Sequence, residues 1–306
     1  MRRICLLLGG SLMLPLLVSC SSETNFDPSP AVAESRASIT ETNAGIATSE
    51  ASAIIDIVSL VGTSDERLLS VSDTSLSCTL AGYDGSGSVI LQGRLRQPGD
   101  TMKITFNGCT LAGAPLAGSV KATLVKYSQD DRGEQFTTRY LYQDFLIGSA
   151  ANLISLNGDL TVESNYDYLT ETSTTTRTSS SLELAQGQMI VTVTDLRCVD
   201  AYTGLWDTAP FTMECQLRFN STALGGSLSV VTVEPFKGVG GENRPSSGEL
   251  RINGANSKAR LIAQQDGEHV LLQWDQDNDD RYEGQMLRSW DELKRDMLDW
   301  RSLLTP

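Results

Sequence analysis

From Cys78 onward, apolar and polar residues alternate with a period of two. Met102, Ile104 and Phe106 alternate with Thr101, Lys103 and Thr105. Leu156, Leu160, Val162, Tyr166 and Tyr168 share one parity, opposed by Asn157, Asp159, Thr161, Glu163, Asn165 and Asp167. Phe211, Met213, Cys215, Leu217 and Phe219 alternate with Thr212, Glu214, Gln216, Arg218 and Asn220. This is the pattern of antiparallel strands with one face packed and one face wet. Turn clusters separate the runs: Asp84-Gly85-Ser86-Gly87, Gln97-Pro98-Gly99-Asp100, Asp130-Asp131-Arg132-Gly133 and the stretch 237–245. About a dozen strands are expected. The fold class is therefore mainly β, a large antiparallel meander forming a curved sheet, a half-barrel or a sandwich.

Two segments break the period. Residues 49–61 carry Ile54, Ile55, Val58 and Val61 near one helical face, which predicts an N-terminal helix packed on the main body. At the other end Trp290, Leu293, Met297, Trp300 and Leu304 recur at spacings of three and four. Ser289 and Glu292 fit a capping box in front of them, so a C-terminal amphipathic helix is expected. Residues 170–182 are rich in Thr and Ser. They read as an extended arm, an edge strand or a hairpin tip, with a carbohydrate- or partner-contact surface as the alternative. There is also weak internal repetition. Cys-Thr-Leu-Ala-Gly occurs at 78–82 and 109–113, and Leu-x-Gly-(Ser/Asp)-(Val/Leu) opens strands at 116–120, 156–160 and 224–228. The glycine there permits a turn or bulge.

The N-terminus gives an address. Arg2 and Arg3 precede an apolar run from Ile4 to Val18, shorter than the roughly 20 residues of a membrane span. The run ends Leu17-Val18-Ser19-Cys20, which resembles the bacterial lipobox. That resemblance implies a signal peptide over 1–19, cleavage before Cys20 and lipidation of its thiol. Ser21, in place of an aspartate, resembles the outer-membrane class. Residues 20–45 are Ser-, Thr-, Glu- and Pro-rich and read as a flexible tether. Residues 46–306 then form a single β-rich domain with terminal helices. No later segment reads as apolar enough to span a bilayer, so the lipid is the expected membrane contact.

Of six cysteines, Cys5 leaves with the signal and Cys20 is the lipid site. Cys78, Cys109, Cys198 and Cys215 remain, an even number suited to an oxidising compartment. Three connectivities are open, and proximity along the chain favours Cys78–Cys109 and Cys198–Cys215. No Cys-x-x-Cys spacing points to thioredoxin-type chemistry.

Composition narrows function by exclusion. Lys and Arg number 24 against 38 Asp and Glu, a net charge of −14, so phosphate backbones are repelled and no nucleic-acid partner is expected. His269 is the sole histidine, which excludes multi-histidine zinc sites. By parity it lies with Leu271 and Gln273 on a solvent face. No nucleophile elbow, Walker loop or dinucleotide fingerprint is present, and the chain reads as a non-enzyme. The densest acidic cluster supplies one candidate site. Asp275, Asp277 and Asp279 have the one-three-five spacing of calcium loops, with Glu283 as a fourth carboxylate. However, Asp280 stands where an EF-hand has glycine, and Met286 where it has its bidentate glutamate. The competing reading is a β-turn between strands 269–275 and 281–287.

Several elements together resemble the uncharacterised β-rich outer-membrane lipoproteins of Gram-negative bacteria. They are Gly99-Asp100-x-x-x-Ile104-x-Phe106-Asn107-x-Cys109, Ser247-Gly248-Glu249-Leu250-Arg251-Ile252-x-Gly254-Ala255, the acidic hairpin and the terminal Ser-Trp-Asp-Glu-Leu. The resemblance implies location and fold but carries no activity. Two non-catalytic roles follow: a lipid-anchored structural or interaction module with a protein partner, or a carrier cupping an apolar ligand in a curved sheet, as lipoprotein-sorting half-barrels do. A carboxylate-dependent hydrolase ranks last.

Overall fold

The computed structural model describes residues 35–61, 71–81, 83–111, 113–148, 153–204, 209–239 and 244–293. The segment expected to be a signal peptide (1–19), Cys20 and most of the segment expected to form a C-terminal helix lie outside the described residues. Helix α1 (Ala44–Val61) is followed by strands β1 (Ser72–Ser77), β2 (Ser88–Arg94), β3 (Thr101–Leu111), β4 (Ala114–Gln129) and β5 (Gly133–Ile147). Next come β6 (Ile154–Asp167), β7 (Thr172–Ser179), β8 (Leu182–Gln186), β9 (Met189–Thr203) and β10 (Pro210–Ser221). The chain continues with β11 (Gly226–Val239), β12 (Ser247–Asn253), β13 (Lys258–Ala263), β14 (His269–Asp275) and β15 (Gly284–Ser289).

Among the described residues all the strands, 15 of them, belong to one antiparallel meander, as the alternation predicts. Its order follows the chain except at one slot. There β7 and β8 lie end to end between β6 and β9, with β8 paired to Ser155–Gly158 and β7 to Thr161–Asp167. Gly158, at a φ of +114°, sits at the join. A Cβ there would stand 2.4 Å from the Ser181 carbonyl oxygen, so only glycine allows the two half-strands to meet.

This slot corrects one expectation. The Thr/Ser-rich segment is neither an arm nor an edge strand: β7 is hydrogen-bonded on both sides. Threonine suits a pleated interior strand as well as valine does, and polarity alone concealed that.

Inward-facing residues of successive strands merge with α1 into one contiguous hydrophobic core. Almost every turn of the helix is buried, including Thr48, Ser49 and Glu50. The helix runs across the strands. Tyr142 of β5 donates its hydroxyl to the Val61 carbonyl at 2.9 Å, Ser221 of β10 bonds Glu50, and β12 to β14 pack against the helix as well. In sheet order β5 and β14 are eight strand spacings apart, about 38 Å if the sheet were flat. An 18-residue helix is only about 27 Å long. The sheet therefore curls around its helix.

Length and hydropathy alone would let α1 cross a membrane, contrary to the expectation that no segment after the signal could, yet 61% of it is buried inside the body. The hydrophobic effect that would favour a bilayer is satisfied here by the sheet.

The body also begins earlier than the composition implies. Ala37 and Ile39, within the stretch read as tether, are buried. Arg36 bridges Ser227 in parallel, the Ile39 amide donates to Ser257 Oγ at 2.7 Å, and Ala255 donates to the Ala37 carbonyl at 2.8 Å. Gly226, in the third copy of the glycine motif, lets this strap approach, since a Cβ there would meet Ser35 O at 2.5 Å.

Candidate functional site

The acidic loop joins β14 to β15. Alternation along β14 buries Val270, Leu272 and Trp274 and leaves His269, Leu271 and Gln273 on the outer face, as their parity predicts. Asp275 ends the strand and is fully buried. One of its oxygens accepts from the amides of Asn278 at 2.6 Å and Asp279 at 3.3 Å; the other accepts from Asp280 at 2.9 Å and faces Lys258 Nζ at 3.2 Å. Burial opposes ionisation of Asp275, but the Lys258 ammonium and the loop amides outweigh it and hold the carboxyl below its ordinary range. The hydrogen bond to Asp280, reinforced by that to Asp275, raises Lys258 above the usual lysine range despite desolvation.

The sequence brings the four expected carboxylates together. One oxygen from each of Asp275, Asp277, Asp279 and Glu283 lies within 4.8 Å of the others. Only Asp275 is buried; the other three are exposed. The loop is also internally satisfied. Glu283 accepts from the Gln276 amide at 2.9 Å, Asp279 from Arg281 at 2.8 Å and Asp277 from Asp279 at 3.3 Å. Asn278 and Asp280 adopt left-handed conformations, at φ of 61° and 68°, which Asn and Asp tolerate best among residues with a side chain. An oxygen donor set of this kind suits a hard cation. The same groups also build an aspartate-organised turn with Lys258 as its internal counter-ion. The lysine was not singled out in the sequence, because it lies on the neighbouring strand β13 and comes opposite Asp275 only through the β13–β14 pairing.

The four body cysteines lie in pairs at disulfide distance. Cys78 and Cys109 have Cα atoms 5.4 Å apart and Cys198 and Cys215 4.1 Å apart, with their sulfurs bonded. Cys198 and Cys215 stand directly opposite each other on β9 and β10. The first pair joins the two copies of Cys-Thr-Leu-Ala-Gly, and Asp84 bridges Thr110 beside it. The predicted capping box is also formed: Ser289 N donates to Glu292 Oε2 at 2.9 Å and Glu292 N to Ser289 Oγ at 3.1 Å.

His269 lies against Asp266, with Nδ1 2.7 Å from Oδ2. The amides of His269 and Glu268 draw the Asp266 carboxyl down to about 2.

Two polar features inside the core escaped the sequence reading. Glu50 is buried under the sheet. It accepts from Ser221 Oγ at 2.8 Å, and its second oxygen has no hydrogen-bond partner among the described residues. Burial pushes its carboxyl up to about 7, with the Ser221 bond opposing. The signal for it was a helix apolar nearly all round, since such a helix buries its polar residues too. Arg177 and Asp200 form a buried ion pair between β7 and β9. Their pairing needs the β7–β9 register, which places Cys198 beside Arg177.

Comparison with protein-family models, with characterised proteins and with solved structures finds no match for this chain. The functional reading therefore rests on its own geometry.

Proposed function

We propose that the chain is a lipid-anchored lipoprotein of the outer membrane that serves as a structural or interaction module rather than as an enzyme. The observation that carries the module reading is α1. A carrier needs an apolar cup open to its ligand, and here the chain's own helix lies across the curled sheet and merges with its inner face. The hydrolase reading has least support, because the carboxylates that converge sit on a loop where backbone amides already engage them.

The anchor reading rests on Leu17-Val18-Ser19-Cys20 and on the residues before it. A single thioether-linked lipid group on Cys20 would hold an acidic body off an anionic surface, with the outer face of the sheet free for contacts. The test is radiolabelled palmitate incorporation with membrane fractionation. The wild type should incorporate label and sediment with the outer membrane, and Cys20→Ala should do neither. Label entering the mutant overturns the anchor reading. In-cell cross-linking from outer-face positions such as Gln273 should capture a defined partner if the body is an interaction module.

A further inference from the structure

The meander has two edges, β1 and β15, and they are built differently. An open edge offers unpaired backbone groups to any extended chain, so stable β proteins blunt it. The β1 edge is blunted. A bulge falls between Ser72 and Thr74, Asp73 takes a left-handed φ of 41°, and its Oδ1 accepts from the Gly93 amide at 2.9 Å. The Ser77 carbonyl turns to the Ala81 amide at 3.0 Å. β15 carries no such device. Its ladder to β14 is unbroken from Gly284 to Ser289, and Gly-Gln-Met-Leu-Arg-Ser holds neither proline nor lysine.

Hydrogen-bond parity fixes which groups are free. The Trp290 amide donates to the Glu268 carbonyl at 3.0 Å, one step beyond the Ser289–His269 pair. Bonding alternates along an antiparallel ladder, so Gly284, Met286 and Arg288 bond toward β14, whereas Gln285, Leu287 and Ser289 face away. The Ser289 amide is taken by Glu292 in the capping box at 2.9 Å. Gln285 and Leu287 therefore present their N–H and C=O groups on the open edge, with no backbone partner among the described residues. Apolar side chains are exposed with them: Leu287 is 59% exposed and Met286 42%. In a chain of net charge −14, this strand carries Arg288 and no acid.

The edge is its own complement. With a second copy turned about a two-fold axis through Met286, Gln285 of each copy stands opposite Leu287 of the other. Both are hydrogen-bonded pairs that exchange N–H and C=O in each direction, so every group left free on either edge is satisfied. A register centred on Leu287 would need the engaged Ser289 amide, and one centred on Gln285 would pair Leu287 with Glu283, outside the strand. The side chains agree with the backbone. Met286 meets Met286 on one face, Leu287 lies beside Gln285 on the other, and Arg288 falls opposite Gly284 rather than a second arginine. An unrelated strand could reach the same amides, but it has no such match built in.

We infer that β15 pairs with β15 of a second copy of this chain, joining two curled sheets into a two-fold dimer. The inference rests on the reading of the chain as an interaction module and names its partner. The strand is short, so the dimer is weak in dilute solution; lipid anchors that confine copies to one membrane plane raise their effective concentration.

The test uses the full chain, detergent-solubilised for sedimentation equilibrium and in membranes for cross-linking. Wild type should show a reversible monomer–dimer equilibrium. Leu287→Pro deletes an N–H that faces away from β14, and with it half of the new hydrogen bonds, and should weaken the dimer about tenfold or more. Met286→Lys sets two ammonium groups face to face and should also weaken it, while melting curves of both variants stay close to wild type. Met286→Cys should give a disulfide-linked dimer on mild oxidation, since directly opposed non-hydrogen-bonded residues bring their Cα atoms to about 4.5 Å. Leu271→Cys, one strand inward, should not. A dimer untouched by Leu287→Pro and Met286→Lys overturns the inference, as does a Leu271→Cys dimer as strong as that of Met286→Cys. A wild type that stays monomeric, with no Met286→Cys dimer in membranes, overturns it too. If Met286→Cys cross-links to a different protein instead, the module reading stands and the second-copy assignment falls.

Discussion

Glu50 of α1 accepts a hydrogen bond from Ser221 of β10 at 2.8 Å, and both residues are buried. This bond joins the central helix to the middle of the sheet. It satisfies one carboxyl oxygen and leaves the other without a partner among the described residues. In such a place the neutral acid is the comfortable form, which is why burial carries its pKa to about 7 from an ordinary 4.5.

Stability should therefore depend on pH through this group. The folded pKa lies above the unfolded one, so the unfolded chain releases this proton first as pH rises. The contribution is fully present below pH 4.5 and is lost as pH rises through about 7. A shift of that size corresponds to about 3 kcal/mol. Urea unfolding at pH 5 and pH 8 should show the drop, and Glu50→Gln should flatten it. Wild type and variant falling in parallel would mean that Glu50 is not the group responsible.

The cysteine pairs should carry a separate share of stability. They close segments of 31 and 17 residues, for which loop-closure estimates give roughly 3 kcal/mol each. A non-reducing peptide map should recover Cys78–Cys109 and Cys198–Cys215, and each double Cys→Ala variant should melt lower than wild type. Free thiols in protein purified without reductant would refute the oxidised state, and a crossed map would refute the pairing.

The meander itself was legible in the sequence because a two-residue period acts within each strand. The buried and exposed sets of β14, Val270-Leu272-Trp274 against His269-Leu271-Gln273, can be assigned before any pairing is known. What stayed hidden depends on relations between strands. Arg177 meets Asp200 only once β7 is known to pair with β9. The strap through Ala37 and Ile39 was concealed differently: its composition is that of a linker, and only Gly226 and Ser257 give it somewhere to dock. The acidic loop was visible as a cluster, but its counter-ion Lys258 was not.

Gly284 offers a sharper test of the last hairpin. It stands opposite Trp274, whose buried ring lies across it; a Cβ at 284 would fall 2.0 Å from a ring carbon. Gly284→Ala must displace either the indole or β15. Overpacking of this kind costs about 1–3 kcal/mol. The urea midpoint should fall with an unchanged slope, and tryptophan emission should shift red as the ring is pushed toward water. Gln285→Ala, at the next position, should do neither. A wild-type midpoint for Gly284→Ala would show that the ring does not lie across β15.

The acidic loop is decided by comparing the roles of its carboxylates. If it is an aspartate-organised turn, Asp275 is its centre, since it gathers three amides and the Lys258 ammonium away from solvent. Asp275→Asn should then lower stability by roughly 2 kcal/mol, because the buried cation loses a charged partner. Asp277→Asn with Asp279→Asn should stay within about 0.5 kcal/mol, since both are exposed and asparagine also suits turns. On this reading calcium produces no more than the magnesium effect at equal ionic strength, where general screening of the acidic chain is held constant. A cation site makes the opposite demand. Four carboxylates within 4.8 Å repel one another without a metal, so a bound ion would stabilise the folded form by mass action, by about 2.7 kcal/mol at a hundredfold excess over its dissociation constant. Thermal melts across a calcium titration separate the two. The internal bonding of the loop leads us to expect flat curves. A saturable rise with calcium, absent with magnesium and lost in the Asp277/Asp279 double variant, would make these residues a metal centre.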